Sequence, residues 1–223
     1  HPRSTLFPYT TLFRSEKPAV TVEHPERKKR TGPLLTASGE TAFGSPRDFL
    51  DNRFVYAVIS PRAQGLSIGV NMNPDKLCNF DCMYCEVHRD APSREQRLDV
   101  SVMAAELHRT LDFVRGNRLR ERPRYHAMPP ELLELRHVTL SGDGEPTLCP
   151  NFAEAVEAVV HVRALGEFFK MVLITNATEL DRAQVQEGLR HFTRSDEIWA
   201  KLDGGTQEYL DKVSKAHVPL EKI

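Results

Sequence analysis

The sequence predicts an α/β protein built on a parallel sheet. Short apolar runs alternate with helix-period segments, strand then helix, four times from Leu66 onward. The runs are continuous rather than alternating, as in strands covered by helices. Polar and glycine residues gather after each run, at Asn71–Cys85, Ser141–Pro146, Thr175–Thr178 and Lys201–Gly205. Parallel-sheet folds bind ligands at these carboxyl ends, so four loops are expected to meet at one mouth.

The elements follow in order. Phe54–Ile59 is β-rich and stops at Ser60-Pro61, and Leu66–Val70 is a second short strand. Asp99 is placed to cap a helix through about Arg115, because Met103, Leu107, Leu111 and Val114 recur on one face. A Pro- and Arg-rich connection leads to a strand at His137–Leu140. Asn151 and Glu154 resemble a capping box opening a helix that turns Phe152, Val156, Val159 and Val160 inward. Met171–Thr175 reads as a strand, Asp181–Leu189 as a helix and Glu197–Leu202 as a strand. Thr206 caps a last helix carrying Leu210 and Val213, and Trp199 is expected to pack inside the layers.

Composition narrows the function. Hydrophobic residues at 40% and charged residues at 27% suit a packed core. A net charge of -1 excludes a strongly basic nucleic-acid binder, though not a local basic patch. No apolar run approaches the ~18 residues of a membrane span. Thr5–Ser15 resembles the in-frame translation of a common sequencing adapter, so residues 1–15 are expected to be an artefact. Residues 16–53 read as a flexible segment in which Arg27–Arg30 is a solvated basic run. Residues 54–223 are expected to form a core that is C-terminally incomplete.

Three of the four cysteines fall within eight residues, as Cys78-Asn79-Phe80-Asp81-Cys82-Met83-Tyr84-Cys85. Three thiolates on one loop can hold three irons of a cubane cluster and leave the fourth open for a ligand. The other arrangement is a zinc site completed by Cys149 or His88, giving a non-catalytic interaction domain. Zinc loops usually pair cysteines with a distant second pair, and none exists here. Cys149 is expected to be a partly buried structural residue. The three sulfurs are expected to lie close together even without metal.

This C-x3-C-x2-C loop after a strand, with Tyr84 before its last cysteine, resembles the signature of the radical S-adenosylmethionine superfamily. The resemblance implies a partial (β/α)6 TIM-like barrel, truncated here after about four βα units. It implies a [4Fe-4S] cluster held by Cys78, Cys82 and Cys85, whose unique iron chelates S-adenosylmethionine. Reductive cleavage would give a 5'-deoxyadenosyl radical that abstracts hydrogen from a substrate. An electron donor of the flavodoxin or ferredoxin type is implied with it.

The other loops are similar to the family's motifs. Gly142, Gly144, Glu145 and Pro146, within Ser141–Thr147, resemble its "GGE" motif, and Glu145 would accept from the cofactor's ammonium. Thr175 and Asn176 would contact the sulfonium or carboxylate end, or else cap their turn. Lys201 would meet the carboxylate and Asp203 the ribose, the other reading being a surface salt bridge.

Residues 141–148 and 201–206 are similar to a branch containing tRNA wyosine-synthesis enzymes. Those usually carry a second cysteine trio upstream, and no cysteine precedes Cys78. RNA therefore stays a minority partner, without support from net charge. With no signal sequence and an uneven set of thiols, a reducing cytoplasmic location is expected.

Overall fold

The structure is a computed structural model and describes residues 49–223 apart from 90, 167 and 217. The expected artefact at 1–15 and the segment 16–48 lie outside the described residues. Within residues 49–53, assigned to the flexible segment, Phe49 and Asn52 are buried. Phe49 is buried edge-on to Phe113 and Tyr125, and Asn52 donates to Val55 O and Thr110 Oγ1 at 3.0 and 2.9 Å.

Among the described residues five strands form one open sheet in the order β1-β2-β3-β4-β5. They are β1 (Val55–Ser60), β2 (Gly65–Asn71), β3 (Leu135–Ser141), β4 (Met171–Thr175) and β5 (Glu197–Ala200). Between and after the last four run α1 (Val100–Arg115), α2 (Phe152–Leu165), α3 (Ala183–Leu189) and α4 (Gln207–Val213). The four βα units and the parallel pairing of β2 through β5 match the sequence reading. The sheet is not closed, and β1 pairs antiparallel to β2, with Val55 opposite Val70. Residues 61–64 are too short a link for a parallel crossover, so they make a hairpin.

Strand alternation separates two faces. Leu66, Ile68 and Val70, with Val138, Leu140, Met171 and Leu173, pack with Met103, Leu107 and Leu111 of α1 and Phe152, Val156 and Val159 of α2. The opposite face is polar: Ser67 bonds Thr139 at 2.8 Å and Tyr56 bonds Ser141 at 2.9 Å. Gly69 is required here, because a Cβ would meet the Tyr56 ring at 2.1 Å. Trp199 packs half-buried on this side, edge-on to buried His137 with centroids 5.3 Å apart.

The caps separate what local sequence decides from what it does not. Asp99 accepts from Val102 N at 3.1 Å and Thr206 from Tyr209 N at 3.3 Å, as expected. Asn151 makes no side-chain cap: its amide oxygen accepts from Arg97 and its nitrogen donates to Leu98 O. Helix α3 starts at Ala183 rather than Asp181, and β5 ends at Ala200 rather than Leu202. Two buried carboxylates tie elements together. Glu106 on α1 accepts from the backbone N–H of Arg53, Phe54 and Val55. Asp196 pairs with Arg163 at 2.9 Å and accepts from Met171 N at 2.7 Å, holding the start of β4.

Candidate functional site

The cysteine loop leaves β2 through Asn71 and is fastened on three sides. Toward β3, Met72 N donates to Ser141 O at 2.7 Å, and Glu145 N to Leu77 O at 2.9 Å. Asn71 and Asp143 exchange two bonds, Asn71 Nδ2 to Asp143 Oδ2 at 2.8 Å and Asp143 N to Asn71 Oδ1 at 3.0 Å. Gly144 allows this approach, since a Cβ there would lie 1.9 Å from Leu77 O.

Toward β4, Asn176 Nδ2 donates to Asn79 Oδ1 at 2.8 Å, and Asn79 Nδ2 to Thr178 Oγ1 at 2.7 Å. Toward α4, Asp81 N and Met83 N donate to Ser214 O and Val213 O at 3.0 and 2.9 Å. Phe80, Leu210 and Ala216 form a small core beneath that contact, with Cys78 and Cys82 against it. Lys76 closes the base of the loop by donating to His88 O and Ala91 O, both at 2.6 Å.

The loop and the ends of β3, β4 and β5 enclose a cavity of about 450 Å³. That lies inside the ~300–1,000 Å³ range of small-molecule sites. Cys78, Cys82, Cys85, Tyr84, Gly142, Gly144, Glu145, Thr175, Asn176, Lys201 and Asp203 all border it. Pro146 does not: it is buried as the first residue of the 3-10 turn Pro146–Leu148. Cys149 is more deeply placed than expected, fully inside the main core, where burial pushes its thiol up to about 11.

The expectation that the three sulfurs draw together is not met. Among the described residues no three His, Cys, Asp or Glu side chains converge as a ready metal-ligand group. Thiols gain nothing by converging without a cation between them, and the loop carries Arg89 beside two of them. Burial disfavours the Arg89 cation, but its hydrogen bonds to Cys78 and Cys85 outweigh that and raise its pKa. Arg89 also donates to Phe80 O at 2.7 Å. Burial pushes the Cys82 thiol up as well, against a hydrogen bond with Tyr84.

Glu145 is the most heavily bonded group at the mouth. It is buried, and Oε1 accepts from Thr147 N at 3.1 Å, Thr147 Oγ1 at 2.7 Å and Thr175 Oγ1 at 2.5 Å. Oε2 accepts from Asn176 N at 2.8 Å. An ionised carboxylate offers about four lone-pair sites, so this one joins the ends of β3 and β4. Thr175 and Asn176 do cap their own turn, accepting from Ala177 N and Thr178 N at 2.9 and 3.2 Å.

Across the cavity, Tyr84 donates its hydroxyl to Asp203, which also accepts from Ser214 Oγ at 3.1 Å. Burial of the hydroxyl and its bonds to Asp203 and Cys82 raise the Tyr84 pKa well above the ordinary range. Lys201 Nζ sits 4.7 Å from the centroid of the Tyr84 ring. No ion pair joins Lys201 to Asp203 among the described residues. Leu202 between them is exposed, and so are Met83 and Tyr84 on the facing rim. Sequence reasoning missed Asn71, Asn79, Thr178 and Ser214, which bind one loop to another. Asn79 and Thr178 lie in loops that follow strands, whereas Asn71 ends β2 and Ser214 caps the end of α4.

No family model matches the chain. A UPF0026 protein of Synechocystis sp. is 30% identical over 173 residues, covering 76% of this chain and 56% of that one. A UPF0026 protein of Methanocaldococcus jannaschii is 25% identical over 171 residues, 75% of this chain and 46% of that one. The chain thus spans about half the length of the curated relatives it matches. Among solved structures, "Structure of TYW1 with a lysine-pyruvate adduct bound" covers 72% of this chain and 48% of that one. It does so at 17% identity with a TM-score of 0.41, too weak a likeness to bear on function. The described residues contain no helix long and apolar enough to cross a membrane.

Proposed function

We propose that residues 54–223 are the core of a radical S-adenosylmethionine enzyme, a partial (β/α)6 barrel. Cys78, Cys82 and Cys85 hold a [4Fe-4S] cluster, and S-adenosylmethionine occupies the cavity they border. When bound and reduced by one electron, the cofactor would supply a 5'-deoxyadenosyl radical able to take hydrogen from a substrate. The supporting observation is the shared cavity: all three cysteines border it, together with residues from the ends of β3, β4 and β5.

The donor set fits the group. Three soft thiol ligands come from one loop, and Cys149 is enclosed in the core away from them. When bound, the cluster would supply one electron to the sulfonium, drawn from a flavodoxin- or ferredoxin-type donor. The chain's own residues bind and orient. Lys201 offers a cation to the cofactor carboxylate from beside the Tyr84 ring. Asp203 keeps Oδ1 for a ribose hydroxyl while Oδ2 holds Tyr84 and Ser214. Glu145 sets the spacing of the β3 and β4 ends, and Oε2, which accepts only from Asn176 N, is the atom left for the ammonium. The loops around the cavity keep water from the reacting carbon.

The test is anaerobic incubation of the iron-loaded full chain with dithionite and S-adenosylmethionine. Release of 5'-deoxyadenosine and methionine by wild type, and its loss in Cys82→Ala, is the expected result. A wild-type protein carrying four irons that releases neither would refute the reading.

A further inference from the structure

The end of α1 and the connection after it carry a charge that the proposed chemistry does not use. Residues 109–124 hold six arginines against Asp112 and Glu121, a net of +4 in a chain whose total is -1. The fold wraps this segment around a groove of about 570 Å³ whose lining includes Arg109, Phe113, Arg118 and Arg122. The groove shares no lining residue with the cysteine-bordered cavity.

Two guanidinium groups are held on one aromatic ring. Arg118 and Arg122 lie 4.7 and 6.0 Å from the Phe113 centroid. Phe113 is itself fixed edge-on to Phe49 at 5.9 Å. Ring contacts of this kind limit the motion of the side chains, so less entropy is lost when a ligand orders them. Arg109 donates to two neutral oxygens, Leu50 O and Asn52 Oδ1.

The groove also holds two acids. Glu121 pairs with Arg118 at 3.2 Å, and Asp112 faces His108 at 3.1 Å. Arg109 and Arg122 have no carboxylate partner among the described residues. The three arginines of the lining outnumber its two carboxylates, and an anion between Arg109 and Arg122 relieves the remaining repulsion. The planar fork of a guanidinium matches two oxygens of a tetrahedral oxyanion.

We propose that the groove floored by Phe113 is an anion site for a phosphate group, with Arg122 and Arg109 as its open cations. The group is borne by a soluble phosphate ester or by a phospholipid headgroup. The site stands on its own residues and does not depend on the cluster or the cofactor.

The probe is pyrophosphate, titrated calorimetrically into the full chain at low ionic strength. One saturable site is expected. Arg122→Ala should weaken it about tenfold or more, Arg122→Lys less, and Arg136→Ala, paired with Glu134 outside the groove, not at all. Arg122 donates no side-chain hydrogen bond among the described residues, so Arg122→Ala should fold as wild type does, with an unchanged circular dichroism spectrum. Sedimentation with phosphatidylglycerol vesicles, competed by pyrophosphate, identifies a headgroup as the source. Uptake of pyrophosphate without vesicle binding identifies a soluble ester. Binding of neither probe, or an Arg122→Ala protein that binds as well as wild type, overturns the site.

Discussion

Asn176 Nδ2 donates to Asn79 Oδ1 at 2.8 Å, so the end of β4 holds the middle of the cysteine loop. Asn79 lies between the first two cysteines and returns a bond to Thr178 at 2.7 Å. The loop's geometry therefore depends on a strand almost a hundred residues further along the chain. Asn79→Ala removes both bonds and should cost about 1–2 kcal/mol in urea unfolding. It should also speed the loss of iron from reconstituted protein. Iron retention equal to wild type would show that the other fastenings of the loop suffice.

Glu145→Ala leaves the buried N–H groups of Thr147 and Asn176 without their acceptor. Stability should fall by about 2–4 kcal/mol, since unpaired buried donors pay their full desolvation. Affinity for S-adenosylmethionine should fall as well, with iron content unchanged, because Glu145 is no iron ligand. An unchanged urea midpoint contradicts the bracing role, and unchanged cofactor affinity removes Glu145 from the binding site.

His137 gives a pH dependence of definite sign. Burial, helped by Lys170 and opposed by Glu197, lowers its imidazole to about 4 from an ordinary 6.5. Between those values the unfolded chain takes up a proton that the folded chain refuses, so unfolding becomes easier as pH falls. The effect should reach at most ~3 kcal/mol, fully present near pH 4 and absent above 6.5. Denaturation midpoints across this window should slope less in His137→Gln than in wild type. Parallel slopes would place the titration on other groups.

Much of the fold is legible in the sequence because its signals are local. Asp99 and Thr206 cap the helices they precede, and the apolar runs at 66–70 and 171–175 are strands. The hairpin of β1 was also open to reading from the length of residues 61–64. Asn151 deceives because Arg97 and Leu98, distant in sequence, compete for its amide. At the mouth, the cysteines and glycines announce themselves by spacing. Asn79, Ser214 and the joining role of Glu145 do not, since their meaning arises only when separate loops meet.

Cys149→Ala should retain iron and cost about 1 kcal/mol from a smaller core side chain. Loss of iron in this variant would require Cys149 to leave the core, contrary to its burial at 1% exposure.

The metal bound at the cysteine loop decides the central claim. Anaerobically reconstituted protein should be brown, with broad absorption near ~400 nm, and carry about four irons per chain. Its reduced form should give an electron paramagnetic resonance signal that shifts when S-adenosylmethionine is added. Cys78→Ala, Cys82→Ala and Cys85→Ala should each lose that chromophore. A colourless protein holding one zinc, or a chromophore that survives Cys82→Ala, would contradict the account.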